Sequence, residues 1–218
     1  MQDDEAARVA TIVERLHRAY PDATCSLHFS TPLELLVATI LSAQCTDERV
    51  NAVTACLFTT YRSAEDYANA PPEELEAAIK PTGFYRNKAR HIQAACRIIA
   101  ERHNGAVPRQ MEQLIVLPGV ARKTANVVLG NAYGVVEGVV VDTHVARVTR
   151  RLGLTASDDP ATVEADLMAR LPRTHWLSFA HQVIVHGRAL CKAPRPLCPA
   201  CTLNDLCPAS TVAAVAAT

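Results

Sequence analysis

Lysine is scarce in this sequence. Of 22 basic residues only Lys80, Lys88, Lys123 and Lys192 carry an amine, and the rest are arginine. A reaction that needs a side-chain amine therefore has few candidates. Net charge is missing too, with 22 acidic residues against 22 basic. No segment is long and apolar enough to cross a bilayer: the most apolar, Val127 to Val141, is interrupted by Asn131, three glycines and Glu137. The opening Met1-Gln2-Asp3-Asp4-Glu5 is acidic, unlike a signal or transit peptide. Internal repeats are absent, and the one biased tract is the small-residue tail Ala209–Thr218, which is expected to fray. With 49% hydrophobic residues over 218 positions, the chain can bury the core of one large or two small domains, which excludes global disorder. These absences leave a soluble intracellular globular protein.

The balanced charge conceals a segregation. Residues 1–79 hold 5 Lys and Arg against 13 Asp and Glu, residues 80–123 hold 9 against 2, and residues 124–218 hold 8 against 7. An acidic first third followed by a basic middle is the pattern of a one-sided polyanion surface, although a solvated helix face gives the same count.

Eight cysteines fall into two groups. Cys25, Cys45, Cys56 and Cys96 are scattered among apolar residues and read as buried, reduced thiols. Cys191, Cys198, Cys201 and Cys207 form C-x6-C-x2-C-x5-C in a loop rich in proline (Pro194, Pro196, Pro199, Pro208). Such crowding suits a metal or cluster in a reducing compartment better than a disulfide framework. Four-cysteine zinc sites usually show two C-x2-C pairs and this loop has one, while a four-iron cluster accepts more open spacing. The spacing favours the cluster and leaves zinc open. In either case the role is structural, closing a loop that carries Lys192 and Arg195 towards a phosphate.

Strand signals are few, and proline, glycine and capping residues divide the chain into helices. Asp3 to Tyr20 is amphipathic, with Val9, Ile12, Val13 and Leu16 on one face, and Pro21 stops it. Thr31-Pro32-Leu33-Glu34 has the makings of a capping box and opens an almost wholly apolar helix through Leu41, expected at the centre of its domain. Ser42 to Asp47 interrupts that helix and caps the next, which runs to about Thr60. Short helices follow near 63–69 and 72–80. A loop over Gly83–Lys88 leads into a long helix over about 86–103, ended by a left-handed cap at Asn104-Gly105. Helices over Arg109–Val116, Asp142–Leu152, from Asp159-Pro160, and over about Thr174–Ala189 complete the chain. Val135–Val141 could form a strand, a loop or a short helix. The fold class is all-α.

The most informative stretch contains the last two basic residues of the middle region. Leu117-Pro-Gly-Val-Ala-Arg-Lys-Thr-Ala-Asn126 makes a tight turn at Pro118-Gly119, and a helix resumes at once. A helix N-terminus offers free N–H groups and the positive end of the macrodipole, which suits a phosphate. Lys123 lies one or two residues inside that helix, so its amine is held beside the docking anion. Further on, Val141-Asp-Thr-His144 places Asp142 as the N-cap of the next helix. These parts together point to chemistry on nucleic acid with the amine as nucleophile. On their own, each has a plainer reading: a solvated lysine, and a cap worth about 1 kcal/mol. His144 and His186 read as structural histidines.

These motifs together resemble the endonuclease III family of helix-hairpin-helix DNA glycosylases, over about residues 3–208. The hairpin sequence, Val141-Asp-Thr-His144 and the C-x6-C-x2-C-x5-C ending carry the resemblance. It implies two all-α domains with a DNA-binding cleft between them. One is a six-helix domain over 24–136 that contains the helix-hairpin-helix motif. The other is an iron-sulfur cluster domain built from 1–23 and 137–218. Lys123 matches the family's nucleophile, Asp142 its catalytic aspartate, and Cys191, Cys198, Cys201 and Cys207 the ligands of one [4Fe-4S] cluster. Gln44 matches the residue that fills the gap left by an extruded nucleotide, and Phe84 a side chain that wedges into the opposite strand. Gly119, Val120, Ala121, Lys192 and Arg195 fall where DNA backbone contacts are expected.

Three positions depart from the family pattern. Ala121 replaces glycine, which would cost about 1 kcal/mol were positive φ needed there. Phe84 replaces leucine and Cys45 replaces alanine. Without the resemblance, Gln44 reads as a helix-terminal amide and Phe84 as core.

The activity implied is removal of oxidised pyrimidines from duplex DNA with abasic-site lyase action through a lysine Schiff base, by a monomer, in the cytoplasm and associated with the nucleoid. A base inside a duplex is out of reach, so the nucleotide must be extruded at a cost of a few kcal/mol. Two alternatives stand beside this reading. An adenine-excising relative shares the fold but lacks a lysine at 123, has glutamate where Thr39 stands, and carries a further C-terminal domain with no counterpart here. A non-catalytic DNA-binding module would use the hairpin and metal loop and leave Lys123 and Asp142 without a task.

Overall fold

The structure is a computed structural model that describes residues 2–212. Met1 and positions 213–218 of the small-residue tail lie outside the described residues. All regular structure among the described residues is helical. Its α-helices are α1 (Gln2–Ala19), α2 (Pro32–Leu41), α3 (Asp47–Thr60), α4 (Ala64–Asn69), α5 (Pro72–Ile79), α6 (Tyr85–Arg102), α7 (Met111–Leu114), α8 (Arg122–Tyr133), α9 (Thr143–Arg151), α10 (Pro160–Arg170) and α11 (Trp176–Ala189). No described helix is long and apolar enough to cross a membrane. The chain divides into two compact units, one over Cys25–Glu137 and one formed from Met1–Thr24 together with Gly138–Thr218.

In the continuous unit α2 is the centre. Eight of its ten residues are buried, and a helix that is apolar all round has to be surrounded; α3, α6 and α8 pack against it. Its start is fixed by the capping box foreseen above: Thr31 Oγ1 accepts from Glu34 N at 3.2 Å, and the Glu34 carboxylate accepts from Thr31 N at 3.2 Å. α4 and α5 lie against α6, whose buried stripe is Lys88, Ala89, Ile92, Ala95, Cys96 and Ile99. Asn104 and Gly105 are both left-handed, φ 50° and 76°, and Gly105 N–H donates to Ile99 O at 3.1 Å, the terminator expected there.

The discontinuous unit is held from the outside of α1 inward. Ile12 and Leu16 are fully buried, and α1 packs on α11, which packs on α9. Gly187 makes the second contact possible, since a Cβ there would lie 3.2 Å from His144 Cβ and from the Arg147 guanidinium. α1 is tied to the C-terminal loop by Arg8, which donates to Leu152 O and Leu206 O, and by Arg15, which pairs with Asp205 at 2.6 Å.

Three expectations need correction, and one left open is decided. The loop read over Gly83–Lys88 ends at Phe84, because α6 already starts at Tyr85. The helix read over Arg109–Val116 is the single turn α7, cut short because Pro118 has no N–H with which to continue. Val135–Val141 contains no strand. Of the first four cysteines only Cys96 is buried; Cys25 and Cys45 are half-buried and Cys56 is exposed, since α3 turns only a narrow face (Val50, Thr54, Leu57) to the core.

Thr31→Ala removes one acceptor of the α2 capping box. It is expected to cost about 1 kcal/mol and to lower the Tm by roughly 2–4 °C in a thermal denaturation monitored by circular dichroism.

Candidate active site and nucleic-acid interface

The hairpin turn is built by its own backbone. Leu117 N–H donates to Leu114 O and Val120 N–H to Leu117 O, at 3.0 and 3.1 Å, and Gly119 sits between them at φ 79°. Leu117 and Val120 point their side chains into the core, 2% and 5% exposed, so Val120 can offer a ligand only its backbone. Gly119 and Ala121 are exposed. Ala121 is extended (φ −89°, ψ 170°), a conformation any residue adopts. The conformational cost considered for a methyl group there does not arise, and the left-handed residue of the turn is Gly119.

α8 begins with no side-chain cap on its N-terminus, whereas α2, α3, α4, α9 and α10 are each capped by a serine, threonine or aspartate. Its first two residues are the exposed Arg122 and Lys123, at the end of the helix whose dipole favours an anion. Of these two, Lys123 carries the amine.

Asp142 caps α9 as expected: Oδ1 accepts from Val145 N–H at 2.8 Å, and the residue is half-buried. His144 bonds Arg147 through Nδ1 at 3.1 Å, and His186 is buried between the Tyr20 hydroxyl (3.0 Å) and Cys201 Sγ (3.6 Å). Both are structural, as read.

Gln44 and Phe84 share an unusual backbone. Only three non-glycine residues among those described have positive φ: Gln44 at 53°, Phe84 at 48°, and the helix-terminating Asn104. A bulky side chain held in the left-handed region costs of order 1–3 kcal/mol, and such residues concentrate at functional sites. Phe84 is also 64% exposed, so it is not core and leaves its ring in water. It follows Gly83 at φ 69°, ψ 160°, a region that glycine alone enters freely.

The four C-terminal cysteines line one pocket, together with apolar side chains such as Val148, Leu152, Leu190 and Leu197. A single zinc ion would hold its four sulfurs about 3.8 Å apart, given Zn–S bonds near 2.3 Å. Among the described residues no three Cys, His, Asp or Glu side chains are gathered closely enough for one ion. Four thiols around one apolar pocket are a donor set for a metal ion or a metal cluster. The loop backbone is pinned from α9: Arg147 donates to Gly187 O and Cys191 O, and Arg151 to Lys192 O at 2.8 Å and Ala193 O at 2.7 Å. Leu203 N–H donates to Cys201 Sγ at 3.4 Å. Lys192 and Arg195 project from this loop and are exposed.

Four participants escaped the sequence reading. Arg147 and Arg151 are the loop's supports, and their spacing of one helical turn beside the capping Asp142 was the available signal. His91 packs on the hairpin, where a Cβ on Gly119 would lie 2.8 Å from His91 Cβ. Lys88, read as a loop residue, is buried in α6; its register with Ile92 and Ala95 marks it as part of the apolar stripe.

Residues 37–173 match the family described as HhH-GPD superfamily base excision DNA repair protein. The chain is 55% identical over 203 residues to endonuclease III of Synechocystis sp., covering 93% of each chain. It is 40% identical over 201 residues to endonuclease III of Escherichia coli, covering 92% of this chain and 95% of that one. Among solved structures it resembles a trapped endonuclease III–DNA covalent intermediate, with a TM-score of 0.90 at 45% identity over 96% of this chain and 98% of the other.

Gly119→Ala places a methyl group against His91 and forces an L-residue into the left-handed region. It is expected to lower stability by at least about 1 kcal/mol and to weaken binding to an abasic-site duplex. Calorimetric melting and fluorescence anisotropy titration measure the two effects.

Proposed function

The chain belongs to the endonuclease III family within the HhH-GPD superfamily of base excision DNA repair proteins, and on that basis we propose that it excises oxidised pyrimidines from duplex DNA and nicks the abasic site it creates. It is a DNA glycosylase and abasic-site lyase. One observation carries the residue-level proposal: the exposed Lys123 amine stands at the second position of α8, whose N-terminus is uncapped and preceded by the Gly119 turn.

The reaction follows from those parts. DNA phosphate docks on the hairpin amides, and the damaged nucleotide leaves the stack. Unprotonated Lys123 Nζ attacks the sugar C1′, and the glycosidic bond breaks with its electron pair departing on the base. The sugar ring opens to a protonated Schiff base on Nζ. Loss of a C2′ proton then expels the 3′ phosphate, and water releases the enzyme. Asp142 has Oδ1 committed to the Val145 amide; its carboxylate would stabilise positive charge developing on the sugar and take a proton from the amine. Gln44 and Phe84 would fill the vacated stack, which accounts for an aromatic ring kept in water when the protein is free. Lys192 and Arg195 would contact backbone phosphate.

Cys191, Cys198, Cys201 and Cys207 would hold one [4Fe-4S] cluster, whose contribution when bound is a rigid fastening of the loop that carries Lys192. The protein would act as a monomer on damaged or abasic duplex DNA.

An adenine-excising role has little support. Thr39, where that branch has glutamate, is buried and donates its hydroxyl to Leu35 O at 2.7 Å. A pure binding module would leave Lys123 and Asp142 without a task.

Borohydride reduction during incubation with an abasic-site duplex is expected to trap a covalent complex with the native protein. Lys123→Gln should trap none and should cut roughly a thousandfold more slowly or worse. Asp142→Asn keeps a capping oxygen, so its stability should change by only a few tenths of a kcal/mol while its rate falls about 10²–10⁴-fold. A covalent complex formed by Lys123→Gln would overturn the assignment of the nucleophile. Metal analysis of anaerobically purified protein is expected to find about four irons and four sulfides per chain; zinc without sulfide would refute the cluster.

A further inference from the structure

Lys88 is one of four lysines in the chain and is only 5% exposed. Its ammonium donates to Leu41 O and to Thr82 O, both at 2.8 Å. Leu41 is the last residue of α2, three before Gln44, and Thr82 ends the short 3-10 turn Lys80–Thr82, two before Phe84. The backbone N–H of Lys88 also donates to Phe84 O at 3.1 Å. One residue therefore touches both segments that carry the left-handed, exposed Gln44 and Phe84.

We propose that Lys88 is a positioning residue whose buried ammonium ties the Gln44 and Phe84 loops together, so that both side chains enter the DNA stack at one fixed spacing. The inference rests on the reading of Gln44 and Phe84 as the stack-filling pair.

An ammonium in a protein interior is costly unless its donors are satisfied. Here the acceptors are two carbonyls at helix C-termini, the negative ends of peptide dipoles, which favour a cation. Burial pushes the amine's pKa down, and the nearby Cys45 thiol opposes that. An apolar side chain would fill this place on the α6 stripe without a desolvation cost, and it could not span two carbonyls. Local bonds close each turn separately, Gly83 N–H to Lys80 O beside Phe84 and Cys45 N–H to Ser42 O around Gln44, and α6 has no side-chain cap at Phe84. Strained conformers persist where the surroundings determine them, and Lys88 is the determinant the two loops share. Side chains that move independently would have to be ordered at the moment of insertion, which slows a step that depends on both arriving together.

The test is single-turnover excision of an oxidised pyrimidine by four proteins: native, Lys88→Met, the Gln44→Ala/Phe84→Ala double variant, and the triple combination. If Lys88 acts through the two loops, Lys88→Met slows the native protein by about tenfold or more and the double variant by less than about twofold. A loss of general stability would act by the same factor in both. Equal slowing in the two backgrounds, or no slowing in the native one, overturns the proposal. A double variant that excises at the native rate is a separate result, and it overturns the stack-filling reading itself. Where Lys88→Met does not fold, Lys88→Arg and Lys88→Gln, which keep donors in the same pocket at a changed reach, are compared by the same two ratios.

Discussion

Every helix ends in peptide groups that find no partner within it, and this all-helical protein is organised by how each of those ends is answered. Where the end is structural the answer is local: Thr31, Thr46, Ser63, Asp142 and Asp159 each turn a side-chain oxygen onto the first amides of their own helix. At α8 the chain supplies no such oxygen. At the far end of α2 the Leu41 carbonyl is met by a lysine from α6, and at the end of α11 the Gly187 carbonyl is met by an arginine from α9. Of the two residues proposed to react, Lys123 stands at a helix start without a side-chain cap and Asp142 is itself the cap of another.

Asp142 shows how closely the two uses can overlap. Its cap fixes the carboxylate in place, so orientation needs no further device, and the same helix carries Arg147 and Arg151 one and two turns on to grip the cysteine loop. A short helix of nine residues thereby joins the carboxylate proposed to react at one end to the support of the cysteine loop along its length. The polar contacts of His186 and Tyr20 extend that support to α1.

Much of this was readable in the residues because capping is a local code. Thr31-Pro-Leu-Glu34, Asp159-Pro160 and Asp142-Thr143 name their own helix starts, and Asn104-Gly105 names a stop. Lys123 was legible because a Pro-Gly turn fixes where the next helix begins. The misjudged positions depend on contacts distant in sequence. Lys88 could not be paired with Leu41 from the sequence, since nothing local says which carbonyls a buried amine will meet. Cys56 was read as buried from its apolar neighbours, yet the face of α3 turned inward is set by α2 and α5. Ala121 was judged by the residue usual at that position, whereas the backbone bend falls two residues earlier at Gly119.

The division of the chain into units has a consequence for its biosynthesis. α1 is synthesised before α11, which partly covers its apolar side, Val9, Ile12, Val13 and Leu16, in the folded protein. The segment between them holds a unit with a core of its own, able to collapse while translation continues. The apolar side of α1 therefore stays without its partner until α11 has been translated.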